Sequence, residues 1–139
     1  MRATLRKYER LNSTKRIKTL FSHGESLSVY PVRAIFFYDA EQPQGLSPTQ
    51  VLFTVSARSF RKASGRNLIR RRLKEAYRIH KHPLIEATRQ LPGTLYLALI
   101  FTSRQTESYV LIEKAVIKLL NELAAKFITP SCENNPSKK

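Results

Sequence analysis

The chain has 139 residues, with 25 Lys or Arg against 10 Asp or Glu and a formal net charge of +15. This length fits one domain, and the single cysteine, Cys132, excludes an internal disulfide and a cysteine-built zinc site. The charge points to a polyanionic partner; nucleic acid and an anionic membrane surface both fit it, and the membrane reading is weak because the basic helix lacks a wide Leu/Trp/Phe face. No apolar run approaches the ~20 residues of a span and no secretory signal is visible, so a reducing, cytoplasmic setting is expected.

Residues 1–18 carry Arg2, Arg6, Lys7, Arg10, Lys15, Arg16 and Lys18 against Glu9 alone. Asn12-Ser13-Thr14 offers N-cap oxygens, and Ile17, Leu20 and Phe21 follow at helical spacing; His23-Gly24 ends this short helix. Val29 to Tyr38, rich in β-branched and aromatic residues, predicts a strand. Arg33, Ile35 and Phe37 share one of its faces, and Val32, Ala34, Phe36 and Tyr38 the other. Asp39 to Pro48 holds two prolines and a glycine and reads as a loop. Val51 to Ser56 predicts a second strand.

A basic connection, Ser59 to Gly65, follows, with Ser64 a candidate N-cap. The helix predicted from about Arg66 to His80 has an apolar stripe of Ile69, Leu73, Ala76 and Tyr77. Asn67, Arg70, Arg71, Lys74 and Arg78 recur on its opposite side. Pro83 ends that helix, with a further turn over Leu84 to Gln90. Pro92-Gly93 is a turn, Thr94 to Thr102 a buried strand, and Thr106 to Phe127 the longest helix. Residues 129–139 read as a flexible tail, leaving one domain over 1–128. The order α-β-β-α-β-α predicts an α+β two-layer sandwich, and its β-α-β unit would ordinarily be parallel with a right-handed crossover.

The charge is concentrated. Arg58 to Lys81 holds ten Lys or Arg and one acid, Glu75. Setting Arg70, Arg71 and Arg72 side by side costs self-repulsion that a merely solubilising surface avoids with alternating signs, and the guanidinium fork suits phosphate. Ile17, Phe21 and the strand aromatics either stack on unpaired bases or belong to the core. Arg33, the one cation between Lys18 and Arg58, is a candidate for a groove on the sheet. His80 and His82 flank Lys81 without a third ligand, a weak metal pattern. No nucleophile motif, phosphate-binding loop or clustered carboxylates occur, so no autonomous catalytic or metal site is expected.

The segment Val51 to Arg78, a strand, a basic loop and then Arg66-Asn67-x-Ile69-Arg70-Arg71-x-Leu73-Lys74-Glu75-x-Tyr77-Arg78, resembles the signature of the bacterial ribonuclease P protein subunit. Arg10-Leu11 and Phe21-x-His23-Gly24 look like that family's first helix, and Leu95 to Phe101 with Thr106 to Phe127 like its last strand and helix. The resemblance implies a left-handed β-α-β crossover and a protein that is the non-catalytic part of a ribonucleoprotein. The RNA subunit would hydrolyse precursor tRNA with magnesium, removing its 5′ leader. Arg58, Arg61, Lys62, Arg66, Asn67, Arg70, Arg71, Lys74 and Arg78 would bind RNA, and Ile17, Phe21 and Arg33 would line the leader cleft. No cofactor of the protein alone, no membrane and no small-molecule substrate are implied. Leu68 stands where the family motif usually has Arg, and Ile17 where an aromatic is common. A ribosomal or other structural RNA-binding protein is the alternative, since it shares the basic α+β character.

Overall fold

The computed structural model describes residues 7–45, 47–55 and 62–128. A 3-10 turn over Lys7–Glu9 leads into α1 (Thr14–His23) and then β1 (Glu25–Val29), β2 (Val32–Asp39) and β3 (Thr49–Val55). Next come α2 (Ala63–His80), α3 (His82–Arg89), β4 (Thr94–Phe101) and α4 (Tyr109–Ile128). The four strands form one sheet in the order β1-β2-β4-β3. β1 with β2 and β2 with β4 are antiparallel, while β3 with β4 is parallel, as the β-α-β reading requires.

The α+β class therefore holds, but the element order is richer than the sequence pattern predicts. The expected strand from Val29 begins earlier and folds back at Tyr30-Pro31, giving the β1–β2 hairpin with Val29 opposite Val32. Glu25-Ser26-Leu27-Ser28 has too little apolar content for a strand signal; pairing with β2 supplies what local propensity lacks. The turn after Pro83 is a full helix, α3, with that proline in its first turn. Helix α2 starts at Ala63 behind Lys62, without a side-chain cap, so Ser64 lies inside the first turn instead of capping it. Helix α4 starts at Tyr109, three residues later than Thr106; the Ser108 hydroxyl accepts from the Leu111 amide at 3.2 Å.

Layering also differs. Val32, Ala34 and Phe36 of β2, Val51, Phe53 and Val55 of β3, and Leu95, Leu97, Leu99 and Phe101 of β4 face one core. Ile69, Leu73, Ala76 and Tyr77 of α2, Leu84 of α3, and Ile112, Val116, Leu119, Leu120 and Leu123 of α4 close it. Helix α1 covers part of the opposite face, where Leu11, Leu20, Tyr96 and Ala98 form a smaller cluster flanked by Ile17, Ile35, Phe37, Leu52 and Ile100. A two-layer sandwich thus gains a partial third layer, because β2 and β4 carry apolar residues on both faces.

Helix α1 begins as its sequence predicts: Ser13 is the N-cap and its hydroxyl accepts from the Arg16 amide at 3.3 Å. Its stop has another cause than a left-handed glycine. Gly24 sits at φ −74° and donates to the Leu20 carbonyl at 2.8 Å. A Cβ there would overlap that carbonyl oxygen and approach Ile35 Cγ2 to 2.8 Å. The glycine is demanded by the close approach of helix end to sheet.

Candidate nucleic-acid interface

Helix α2 is held by its apolar stripe. Ile69, Leu73, Ala76 and Tyr77 are all fully buried, and the Tyr77 ring meets Phe53 edge-on at 5.7 Å. Burying that stripe turns the basic side chains outward. Asn67 and Arg71 are exposed, and Arg66, Arg70, Lys74 and Arg78 half-buried. Arg70 Nη1 donates to Asn67 Oδ1 at 3.0 Å, which fixes both polar groups one turn apart. Arg78 pairs with Glu75 at 2.6 Å, so part of its charge is neutralised locally. Arg72 turns to the other flank and donates to the Glu107 carbonyl. Leu68, Glu75 and Ile79 share that flank at helical spacing with Arg72; Leu68 is 37% exposed.

Arg10, from the N-terminal basic segment, lies near this helix, a proximity that no local pattern records. Arg10 bridges to Val51 of the edge strand β3, and the Leu11 amide donates to the Val51 carbonyl at 2.8 Å. Lys81 pairs with the buried carboxylate of Glu9 and ties the turn to the end of α2. Partial burial, then the charges of Arg10 and Arg70, hold the Lys74 ammonium below its usual pKa. Arg10 and the cations of α2, far apart along the chain, therefore share one field.

The other face of the sheet is only partly covered by α1. Sheet register sets its rows. Gln50, Tyr96 and Phe37 lie side by side, then Leu52, Ala98, Ile35 and Ser26, then Thr54, Ile100, Arg33 and Ser28. Helix α1 sits over the first two rows. Arg16 Nη1 donates to Gln50 Oε1 at 2.7 Å and its guanidinium stacks on Tyr96 at 5.6 Å, while His23 meets Phe37 at 6.2 Å. Ile17 is half-buried and packs against the Leu11, Leu20, Tyr96 and Ala98 cluster. Phe21, one turn further on the Ile17 flank, is 47% exposed. In the third row Arg33 and Ser28 are exposed and Thr54 and Ile100 half-buried.

The structure thus places Ile17, Phe21 and Arg33 on one side of the sheet, with Ile17 partly in the core. Lys62, Arg66, Asn67, Arg70, Arg71, Lys74 and Arg78 sit on α2 or at its start. Arg58 and Arg61 lie outside the described residues. Arg10, which the resemblance placed with the first helix without giving it a role, and Arg16, on the α1 side of the sheet, are further cations near these surfaces; their signal was the density of cations before Lys18. His80 pairs with Glu113 at 2.8 Å and His82 lies 3.7 Å from Glu86. Among the described residues no three His, Cys, Asp or Glu are grouped to hold a metal ion, and no helix is long and apolar enough to cross a membrane.

A basic α+β protein with one cationic helix face and one partly open sheet face is the class these observations define. The model of the Ribonuclease P family matches residues 5–124, and the chain belongs to that family. It is 29% identical over 130 residues to the ribonuclease P protein component of Porphyromonas gingivalis, covering 94% of this chain and 93% of that one. The corresponding protein of Chlorobium phaeobacteroides is 27% identical over 134 residues, covering 91% and 92%. The fold is similar to that of the RNase P protein from Thermotoga maritima, with TM-score 0.61 and 18% identity over 82% of this chain and 96% of that one. A mutant Staphylococcus aureus RNase P protein gives TM-score 0.65 and 16% identity, covering 86% and 90%.

Proposed function

We propose that this chain is the protein partner of a catalytic RNA in ribonuclease P, an endoribonuclease that removes the 5′ leader of precursor tRNA. On this reading the outer face of α2, with Arg66, Asn67, Arg70, Arg71, Lys74 and Arg78, docks on the RNA subunit. Lys62, with Arg58 and Arg61, extends that contact. The groove formed by α1 and the open rows of the sheet receives the single-stranded leader, with Phe21 and Ile17 against bases and Arg33 against phosphate. The RNA performs the magnesium-dependent hydrolysis; the protein offsets the repulsion between two polyanions and favours precursor over product. The observation that carries this reading is the convergence of Arg10, Arg70 and Lys74 on one surface, where burial and like charge already depress the lysine's pKa. A cationic cluster of that kind is stabilised by phosphate.

The test is reconstitution with the cognate RNA subunit and a precursor tRNA. Leader removal at low magnesium is expected with protein and RNA together and not with protein alone. Each neutralised phosphate contributes roughly −0.7 to −0.9 to the log–log salt slope of binding. Arg70→Ala with Arg71→Ala should weaken docking and flatten that slope; an unchanged slope removes α2 from the interface. A ribosomal or other structural RNA-binding protein would leave the precursor uncut.

A further inference from the structure

Beside the N-terminus of α1, on the flank away from the leader groove, the chain leaves a hollow of about 410 Å³. Lys7, Arg10 and Arg16 supply three cations to its wall, and Tyr8, Asn12 and Gln50 are among the remaining lining residues. The Tyr8 ring is 43% exposed. We propose that this hollow is a further RNA-binding site, taking one unpaired nucleotide of the RNA subunit, with its base on Tyr8 and its phosphate between Lys7, Arg10 and Arg16.

Three features support a built site over a chance dent. Arg16 is held in place by Gln50 and by the Tyr96 ring, so little side-chain freedom is lost when it meets an anion. Arg10 is anchored through its backbone to β3, which leaves its guanidinium to the hollow and to the field it shares with Lys74 and Arg70. Tyr8 stands in a wall whose ionised members are all cationic; an exposed aromatic next to fixed cations is the chemistry that holds a base and its phosphate together. The site does not depend on the helix end itself, because the Ser13 hydroxyl already takes the Arg16 amide.

Position decides which RNA. Arg10 lines the hollow and its charge also acts on Lys74 of α2, whereas helical spacing sets the sheet-facing Leu20 between Arg16 on the hollow side and Ile17 with Phe21 on the other. The hollow therefore enlarges the docking surface for the RNA subunit around the β3 edge, and it leaves the leader groove unchanged. This inference rests on the proposed docking of α2.

The full-length protein is tested for binding to the cognate RNA subunit over a salt series, with Lys7→Gln/Arg10→Gln, Tyr8→Ala, Tyr8→Phe and Arg70→Ala/Arg71→Ala as variants. The expected result is a slope shallower by about 0.7 to 0.9, the share of one phosphate, for Lys7→Gln/Arg10→Gln. Tyr8→Ala should bind about tenfold more weakly, with Tyr8→Phe close to the parent. Melting temperatures should match the parent, and the preference for leader-bearing over leaderless precursor tRNA should hold. Unchanged affinity and slope in the Lys7/Arg10 and Tyr8 variants, with Arg70→Ala/Arg71→Ala still weakened, overturns the hollow alone. Loss of leader preference with intact RNA-subunit affinity overturns it too, by giving the hollow to the leader. If Arg70→Ala/Arg71→Ala also binds as the parent does, the underlying docking reading falls with it.

Discussion

The two faces of the sheet are covered to different extents. Behind one, α2, α3 and α4 bury a continuous core from Val32 to Leu123. On the other, α1 covers two rows and leaves Arg33, Ser28, Thr54 and Ile100 at or near the surface. The closed face carries the cost of ordering the chain. The open face is thereby free to keep groups that burial would not tolerate, such as the lone guanidinium of Arg33 beside Ile35 and Ile100. Helix α2 repeats this division on a smaller scale, with one side in the closed core and the other presenting cations.

That comparison predicts a separation of stability from binding. Leu73→Ala, at the centre of the closed face, should lower unfolding free energy by about 2–5 kcal/mol, measured by chemical denaturation. A loss below 1 kcal/mol would mean that α2 is not anchored as described. Phe21→Ala on the open side should change stability by no more than about 0.5 kcal/mol. On the proposed reading it should weaken leader-bearing precursor by about 1–3 kcal/mol, seen as a reduced affinity ratio against leaderless tRNA. A large stability loss instead would make Phe21 a core residue.

Two smaller effects sharpen the picture within α2. Among the described residues the buried Tyr77 hydroxyl has no hydrogen-bond partner, and burial, helped by the Glu9 charge, pushes its pKa well above the usual tyrosine value. Unfolding returns it to about 10, so this group's contribution is present below pH 10 and is lost as pH rises above it. Tyr77→Phe should therefore stabilise by up to about 1 kcal/mol and should flatten the loss of stability above pH 10 in pH-resolved melts. Lys74 has the opposite sign at lower pH. Its charged form is disfavoured in the folded protein, so its destabilising contribution is present below the depressed folded value and is relieved as pH rises through that value toward the unfolded one. Lys74→Gln should raise stability near neutral pH by a few tenths of a kcal/mol while weakening RNA docking. A destabilised Lys74→Gln would show that the side chain's aliphatic stem outweighs the repulsion.

The sequence alone determined the parts of the chain in which one local pattern dominates. The stripe Ile69, Leu73, Ala76 and Tyr77 fixes both the helix and the side on which Arg70, Arg71 and Lys74 must appear, because a 3.6-residue period allows one solution. The alternation through β2 likewise placed Arg33 with Ile35 and Phe37. Where elements exist only through their neighbours, the pattern was silent. Glu25 to Val29 becomes a strand because β2 offers it a ladder, and α3 is more than a turn because Leu84 and Ile85 have a core to enter. Tertiary structure alone brought the charge of Arg10 to bear on Lys74, formed an open hollow beside Tyr8, and left Phe21 exposed on the open side of the sheet. Those relations depend on which side of the β3 edge the chain's first segment takes. That choice is made by backbone hydrogen bonds to Val51 and by the Glu9–Lys81 pair, interactions between positions too distant in the chain for any periodicity to record.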